Sequence, residues 1–114
     1  VLVDVFASWC KPCKEAFPVI DEIRKTYGTK GLAVVAVSVD ENAKDYAKFV
    51  AKQKPGFATL LDSKHKFANV VRPPSMPTSY IIDKKGKVRF LHKGFKGKKT
   101  RAAYIKEIEA LLRE

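Results

Sequence analysis

Two apolar runs frame this chain. Residues 1–6 (Val-Leu-Val-Asp-Val-Phe) and 32–39 (Leu-Ala-Val-Val-Ala-Val-Ser-Val) are nearly continuous in apolar, largely β-branched residues. A strand with one wet face alternates, whereas an unbroken run suits a strand buried on both faces, as in a parallel sheet. Between them the period changes. In residues 11–27, Ala16, Phe17, Ile20, Ile23 and Tyr27 fall on one face of a helix. Pro18 inside that helix is expected to kink it, and Gly28 to stop it. Strand, helix and parallel strand in this order imply a right-handed crossover.

The remainder continues the pattern. Residues 40–42 (Asp-Glu-Asn) offer caps for a helix over about 43–52. Its apolar positions Ala43, Tyr46, Ala47, Phe49 and Val50 are helically spaced, and Pro55-Gly56 ends it. Residues 58–61 read as a short strand and 65–70 as one or two helical turns. Residues 79–82 and 87–92 read as strands of a hairpin turning through Asp83-Lys84-Lys85-Gly86. Thr100 is expected to cap a last helix with Tyr104, Ile105, Ile108, Leu111 and Leu112 on one face. The expectation is an α/β fold: a mixed central sheet with helices on both faces. A chain of 114 residues that is 46% hydrophobic suits one domain over 1–114. It opens inside a strand-like run with no lead-in, which reads as a trimmed domain with any targeting or anchoring segment upstream. No stretch is apolar for long enough to span a membrane, and no leader pattern is present.

The net charge of +11, from 23 Lys plus Arg against 12 Asp plus Glu, raises nucleic-acid binding. The lysines are scattered, however, and only residues 93–101 are dense, a run broken by Gly94 and Gly97. With no nucleic-acid motif in the chain, no nucleic-acid partner is expected and a solvated basic surface is. A docking patch for an acidic partner or an anionic membrane face is the alternative.

Cys10 and Cys13 are the only cysteines, in Trp9-Cys10-Lys11-Pro12-Cys13, directly after the first apolar run. Two cysteines are too few for a disulfide-stapled scaffold. With only the distant His65 and His92, they are also too few for a structural zinc site. A Cys-x-x-Cys pair at the seam of a strand and a helix reads as a redox site. The attacking species is the thiolate, and a free thiol has a pKa of about 8.5. Free amides and the dipole at a helix N-terminus favour negative charge at Cys10, helped by Lys11 and Lys14. Pro12 fits the first turn. Cys10 is therefore expected as an exposed nucleophile and Cys13, more buried, as the resolving thiol. The dithiol is itself the redox group, so no metal or organic cofactor is expected. Trp9 is expected to pack over the disulfide and shape the docking surface. His65 and His92 read as structural, Asp40, Asp62 and Asp83 as caps and turns, and Tyr27, Phe49, Phe57 and Phe67 as core.

These residues resemble the thioredoxin superfamily over essentially the whole chain. Pro18, five residues beyond Cys13, matches the family's helix proline. Met76-Pro77-Thr78 looks like its cis-proline loop, which faces the cysteines and pairs with the substrate backbone. The resemblance thus implies a substrate-binding set of Met76, Pro77 and Thr78, with Trp9 and Pro12 beside the cysteines; Gly94 resembles a family glycine near the site. A segment of about 41–72, inserted before the cis-proline loop, is similar to the TlpA/ResA type. Those are extracytoplasmic thiol–disulfide oxidoreductases, often membrane-tethered and reducing, with roles such as cytochrome c maturation. The resemblance implies a cysteine-containing client protein, an upstream redox donor, a possible tether outside the chain, and a monomer. It departs at Ala16, where that type carries Glu; the adjacent Glu15 is turned by about 100°. Asp4 instead matches the buried aspartate of thioredoxin, while Ala36 stands where thioredoxin has a lysine. Asp4 is therefore expected to accept the proton of Cys13. The rivals are a disulfide oxidase or isomerase, and a non-catalytic basic docking module.

Overall fold

The computed structural model describes residues 1–114. Its elements are β1 (Leu2–Phe6), α1 (Lys11–Tyr27), β2 (Val34–Ser38), α2 (Ala43–Gln53), β3 (Ala58–Leu61), α3 (Lys66–Val71), β4 (Thr78–Ile82), β5 (Val88–Lys93) and α4 (Lys98–Leu112). They form one five-stranded sheet in the order β3-β2-β1-β4-β5. β1 runs parallel to β2, and β2 to β3, while β4 is antiparallel to both β1 and β5. This is the mixed sheet that the element order implies.

β1 is the centre, and all five of its residues are buried. Alternation along it divides the core. Leu2 and Phe6 join Ala16, Phe17, Ile20 and Ile23 of α1 and Tyr104, Ile108 and Leu111 of α4. Val3 and Val5 point the other way, onto Val37 and Tyr80, where Phe67 and Val71 of α3 pack over them. Helices therefore cover both faces, the first more deeply. Phe17 lies 4.8, 5.0 and 5.2 Å, ring centre to ring centre, from Phe6, Phe49 and Phe57. Those contacts bring α2 into the core beneath the start of α1.

The structure adds detail to three local expectations and corrects one, that of Thr100. α1 runs over Lys11–Tyr27 with Pro18 inside it, exposed to solvent. Gly28 closes α1 with a helical φ of −58°, and the chain continues through one 3-10 turn. The left-handed residue that ends the helical path is Gly31, with φ 112°. Lys54, with φ 48°, stops α2 ahead of Pro55, because a proline disfavours helical backbone in the residue before it. Thr100 does not cap α4. Gly97, whose φ is 61°, is the cap residue and starts the helix three residues earlier. Buried Thr100 instead accepts a hydrogen bond of 2.8 Å from the backbone N–H of Lys96. The β4–β5 turn is as expected: the Asp83 carboxylate accepts from the N–H groups of Lys85 and Lys87, both at 2.9 Å.

Candidate redox site

The site lies where β1 leaves the sheet and α1 begins. Cys10 is the N-cap residue, in extended conformation, and its Sγ accepts a hydrogen bond of 3.2 Å from the backbone N–H of Cys13. The sulfur therefore takes one of the amides that a helix start leaves unpaired. Pro12 sits in the first turn, where it removes no helical bond. Cys10 and Cys13 are joined in a disulfide with Cα atoms 5.3 Å apart. Cys13 is fully buried and Cys10 is 5% exposed. The relative order matches expectation, but Cys10 is not openly exposed, because the start of α1 packs into the main core.

Asp40 holds this corner in place. Its carboxylate accepts from the N–H of Ser8 at 3.0 and 3.1 Å, the hydroxyl of Ser8 at 2.7 Å and the hydroxyl of Ser38 at 2.6 Å. The loop that presents Trp9 and Cys10 is thereby tied to the end of β2. Asp40 is more than a strand-end cap, and the signal for its role was a Ser on each side of the seam, at positions 8 and 38. Trp9 is 71% exposed. It stands at the rim of a cleft of about 550 Å³, lined among others by Asp40, Glu41, His65, Pro73 and Met76.

Met76 reaches this cleft from the other side. The Met76–Pro77 peptide bond is cis, as the resemblance implies. Pro77 and Thr78 are buried. The Thr78 hydroxyl donates to the carbonyl of Ser75 at 2.5 Å, and Gly94 N–H donates to the carbonyl of Pro77 at 2.6 Å. Gly94, with φ 79°, thus supports the loop directly.

Asp4 is fully buried, and neither carboxylate oxygen has a hydrogen-bond partner. Burial alone pushes its pKa well above the usual carboxylate range. Alternation puts it on the face of Leu2 and Phe6, which is the face that α1 covers with Cys13 and Ala16. Its parallel neighbour on β2 is Ala36, so no lysine balances it from that side. Ala16 is buried and Glu15 is exposed, so Glu15 does not supply a carboxylate to this interior. Its antiparallel neighbour on β4 is Ser79, whose Oγ lies 2.6 Å from the hydroxyl of Tyr104. Tyr104 lies in the core on the apolar face of α4, as expected; the part played by its hydroxyl and by Ser79 was not foreseen, and a serine at an inward position of an otherwise apolar strand was the signal. The histidines stay apart: His65 Nε2 is 2.9 Å from the carbonyl of Val39, and His92 Nε2 is 2.7 Å from Glu107.

A thioredoxin-like family model matches residues 1–88. The chain belongs to the thioredoxin-like family. Among relatives with this fold, the thioredoxin-like protein YneN of Bacillus subtilis is 38% identical over 104 residues, covering 87% of this chain and 59% of its own length. The thiol-disulfide oxidoreductase ResA of Bacillus thuringiensis is 31% identical over 108 residues, covering 95% of this chain and 62% of its own. The chain therefore spans about three fifths of the length of these thioredoxin-like relatives. Among solved structures, a thiol:disulfide interchange protein DsbE of Chlorobium tepidum matches with a TM-score of 0.93 at 36% identity, covering 97% of this chain and 78% of that one.

Proposed function

We propose that this protein is a thiol–disulfide oxidoreductase of the ResA/DsbE type that reduces cysteine pairs in client proteins. The reading rests on one arrangement: the Cys10–Cys13 pair at the start of α1, and a buried, unpartnered Asp4 on the sheet face that α1 covers. In the reduced protein the Cys10 thiolate attacks one sulfur of a client disulfide. A mixed disulfide forms and the client's other sulfur leaves as a thiolate. Cys13 then attacks Cys10, its proton passes to the Asp4 carboxylate, and the second client thiolate leaves. Two electrons move to the client, and Cys10–Cys13 is left oxidised, to be reduced by a separate donor. The dithiol is the only redox group in this scheme, with no metal or organic cofactor.

Helix-start amides favour the Cys10 thiolate. The resemblance supports Trp9, Pro12, Met76, Pro77 and Thr78 as the client-binding set, and Trp9 and Met76 line one cleft. The ResA-like resemblance supports an extracytoplasmic site of action and clients such as proteins awaiting haem attachment. No helix is long and apolar enough to cross a membrane, so a tether would belong to sequence outside these residues. Cys13→Ala tests the scheme. It should accumulate a mixed disulfide through Cys10 with a disulfide-bonded client peptide, seen by mass spectrometry, and Cys10→Ala should form none. Equal trapping by both variants would refute the assignment of roles.

A further inference from the structure

Asp4 must be ionised before it can take a proton, and an ionised carboxylate in this interior needs a hydrogen-bond donor. None of the nearest covering groups supplies one directly. α1 lays Cys13, Ala16, Phe17 and Ile20 on this face, none of them charged. β2 brings Ala36. β4 brings Ser79, the cross-strand partner of Asp4, and α4 brings Tyr104 and Ile108. Beyond these, on β5 and α4, stand His92 and Glu107, paired at 2.7 Å, with the His92 ring edge-on to Tyr104 at 5.1 Å.

A count of hydroxyl protons identifies the missing donor. Ser79 Oγ and Tyr104 Oη lie 2.6 Å apart and share one hydrogen bond. Two hydroxyls bring two protons, and the shared bond uses one. The other has no acceptor, while the two oxygens of Asp4 are the buried side-chain atoms with no donor. Ser79 and Asp4 sit opposite each other on adjacent strands and on the same face, where paired Cβ atoms are about 5 Å apart. Burial raises the Tyr104 pKa, and the nearby Asp4 and Glu107 raise it further. Tyr104 therefore keeps its proton and serves as a donor rather than as a second anion.

We propose that Ser79 and Tyr104 are positioning residues for the proton acceptor: Tyr104 donates to Ser79, and Ser79 turns its own proton onto Asp4 when Asp4 is ionised. While Asp4 is protonated the pair rests on itself. When Asp4 loses its proton, a shift of the Asp4 and Ser79 side chains toward each other brings them within hydrogen-bond reach and closes the chain Tyr104–Ser79–Asp4. No family motif marks these two residues in the sequence.

The proposal rests on Asp4 acting as the proton acceptor of Cys13, and the test separates the two. Cys10 is loaded with thionitrobenzoate as a mixed disulfide, and release of the coloured anion by Cys13 is timed across pH. Ser79→Ala and Tyr104→Phe each remove a hydroxyl and keep the shape. Without the donor the ionised form costs more, so the Asp4-dependent step should move to higher pH by about one unit in both variants. The rate below the step should fall about tenfold. Asp4→Asn should remove the step. Thermal melts run in parallel identify any loss of packing, which would admit water to Asp4 and move the step to lower rather than higher pH. If Asp4→Asn removes the step but neither hydroxyl variant moves it, this inference is wrong and the role of Asp4 stands. If Asp4→Asn leaves the profile unchanged, the role of Asp4 fails, and this inference with it.

Discussion

Replacing Asp4 with asparagine should make the stability of the oxidised protein less sensitive to pH, by an amount that the burial of Asp4 dictates. The carboxyl is fully buried, has no hydrogen-bond partner, and its pKa is raised well above the ordinary 3.8. In the unfolded chain Asp4 ionises near 3.8, whereas in the folded protein it holds its proton to higher pH. Below 3.8 both states are protonated and Asp4 carries no pH-dependent penalty. As pH rises toward the folded midpoint, the unfolded chain releases a proton that the folded protein keeps, and stability falls. The slope is about 1.4 kcal/mol per pH unit, so a two-unit interval within that window costs about 2.7 kcal/mol. Above the folded midpoint the loss levels off. The asparagine side chain keeps the volume and loses the titration, so subtracting the two stability curves cancels every other ionisable group. Urea unfolding of both oxidised proteins at closely spaced pH values gives the difference. In thermal melts the same slope is worth about 5 °C per pH unit for a domain of this size. Parallel curves for wild type and Asp4→Asn would refute the burial argument and, with it, a raised proton affinity at the site.

Other perturbations follow from the same contacts. Asp40→Ala leaves the Ser8 and Ser38 donors unpaired and should cost about 2 kcal/mol in urea unfolding, while slowing the attack of Cys10 by loosening its loop. Trp9→Ala should change stability by less than about 0.5 kcal/mol, because the side chain is 71% exposed; a rise in KM for a disulfide peptide with unchanged melting would place it on the client surface. Phe17→Ala should cost about 3 to 5 kcal/mol, measured by urea unfolding, because Phe17 touches Phe6, Phe49 and Phe57 at once.

The sequence revealed those parts of the fold that depend on period. The apolar runs at 1–6 and 32–39 are the buried β1 and β2, because only strands covered on both faces lack alternation. The site was legible where chemistry is tied to spacing, as at Cys10 and Cys13 around the helix start; Asp4 was implied only by the resemblance to thioredoxin. Features set by side-chain geometry across distant strands were not. The Asp40 clamp needs Ser8, Ser38 and Asp40 to converge from two strand ends, and no local pattern states that they do. The Ser79–Tyr104 contact joins β4 to α4 and depends on register. Thr100 was misplaced because glycine at position 97 lets the helix begin earlier than a threonine cap would.

The most direct test of the account is the reduction potential of the Cys10–Cys13 pair, by equilibration in glutathione and dithiothreitol buffers with the reduced fraction read by mass spectrometry. The account predicts one reversible two-electron transition at the reducing end of the range for this fold, nearer about −270 mV than about −120 mV. A value near about −120 mV would make the protein a disulfide donor and reverse the proposed direction. A pair that did not cycle at all would contradict its role as the redox centre.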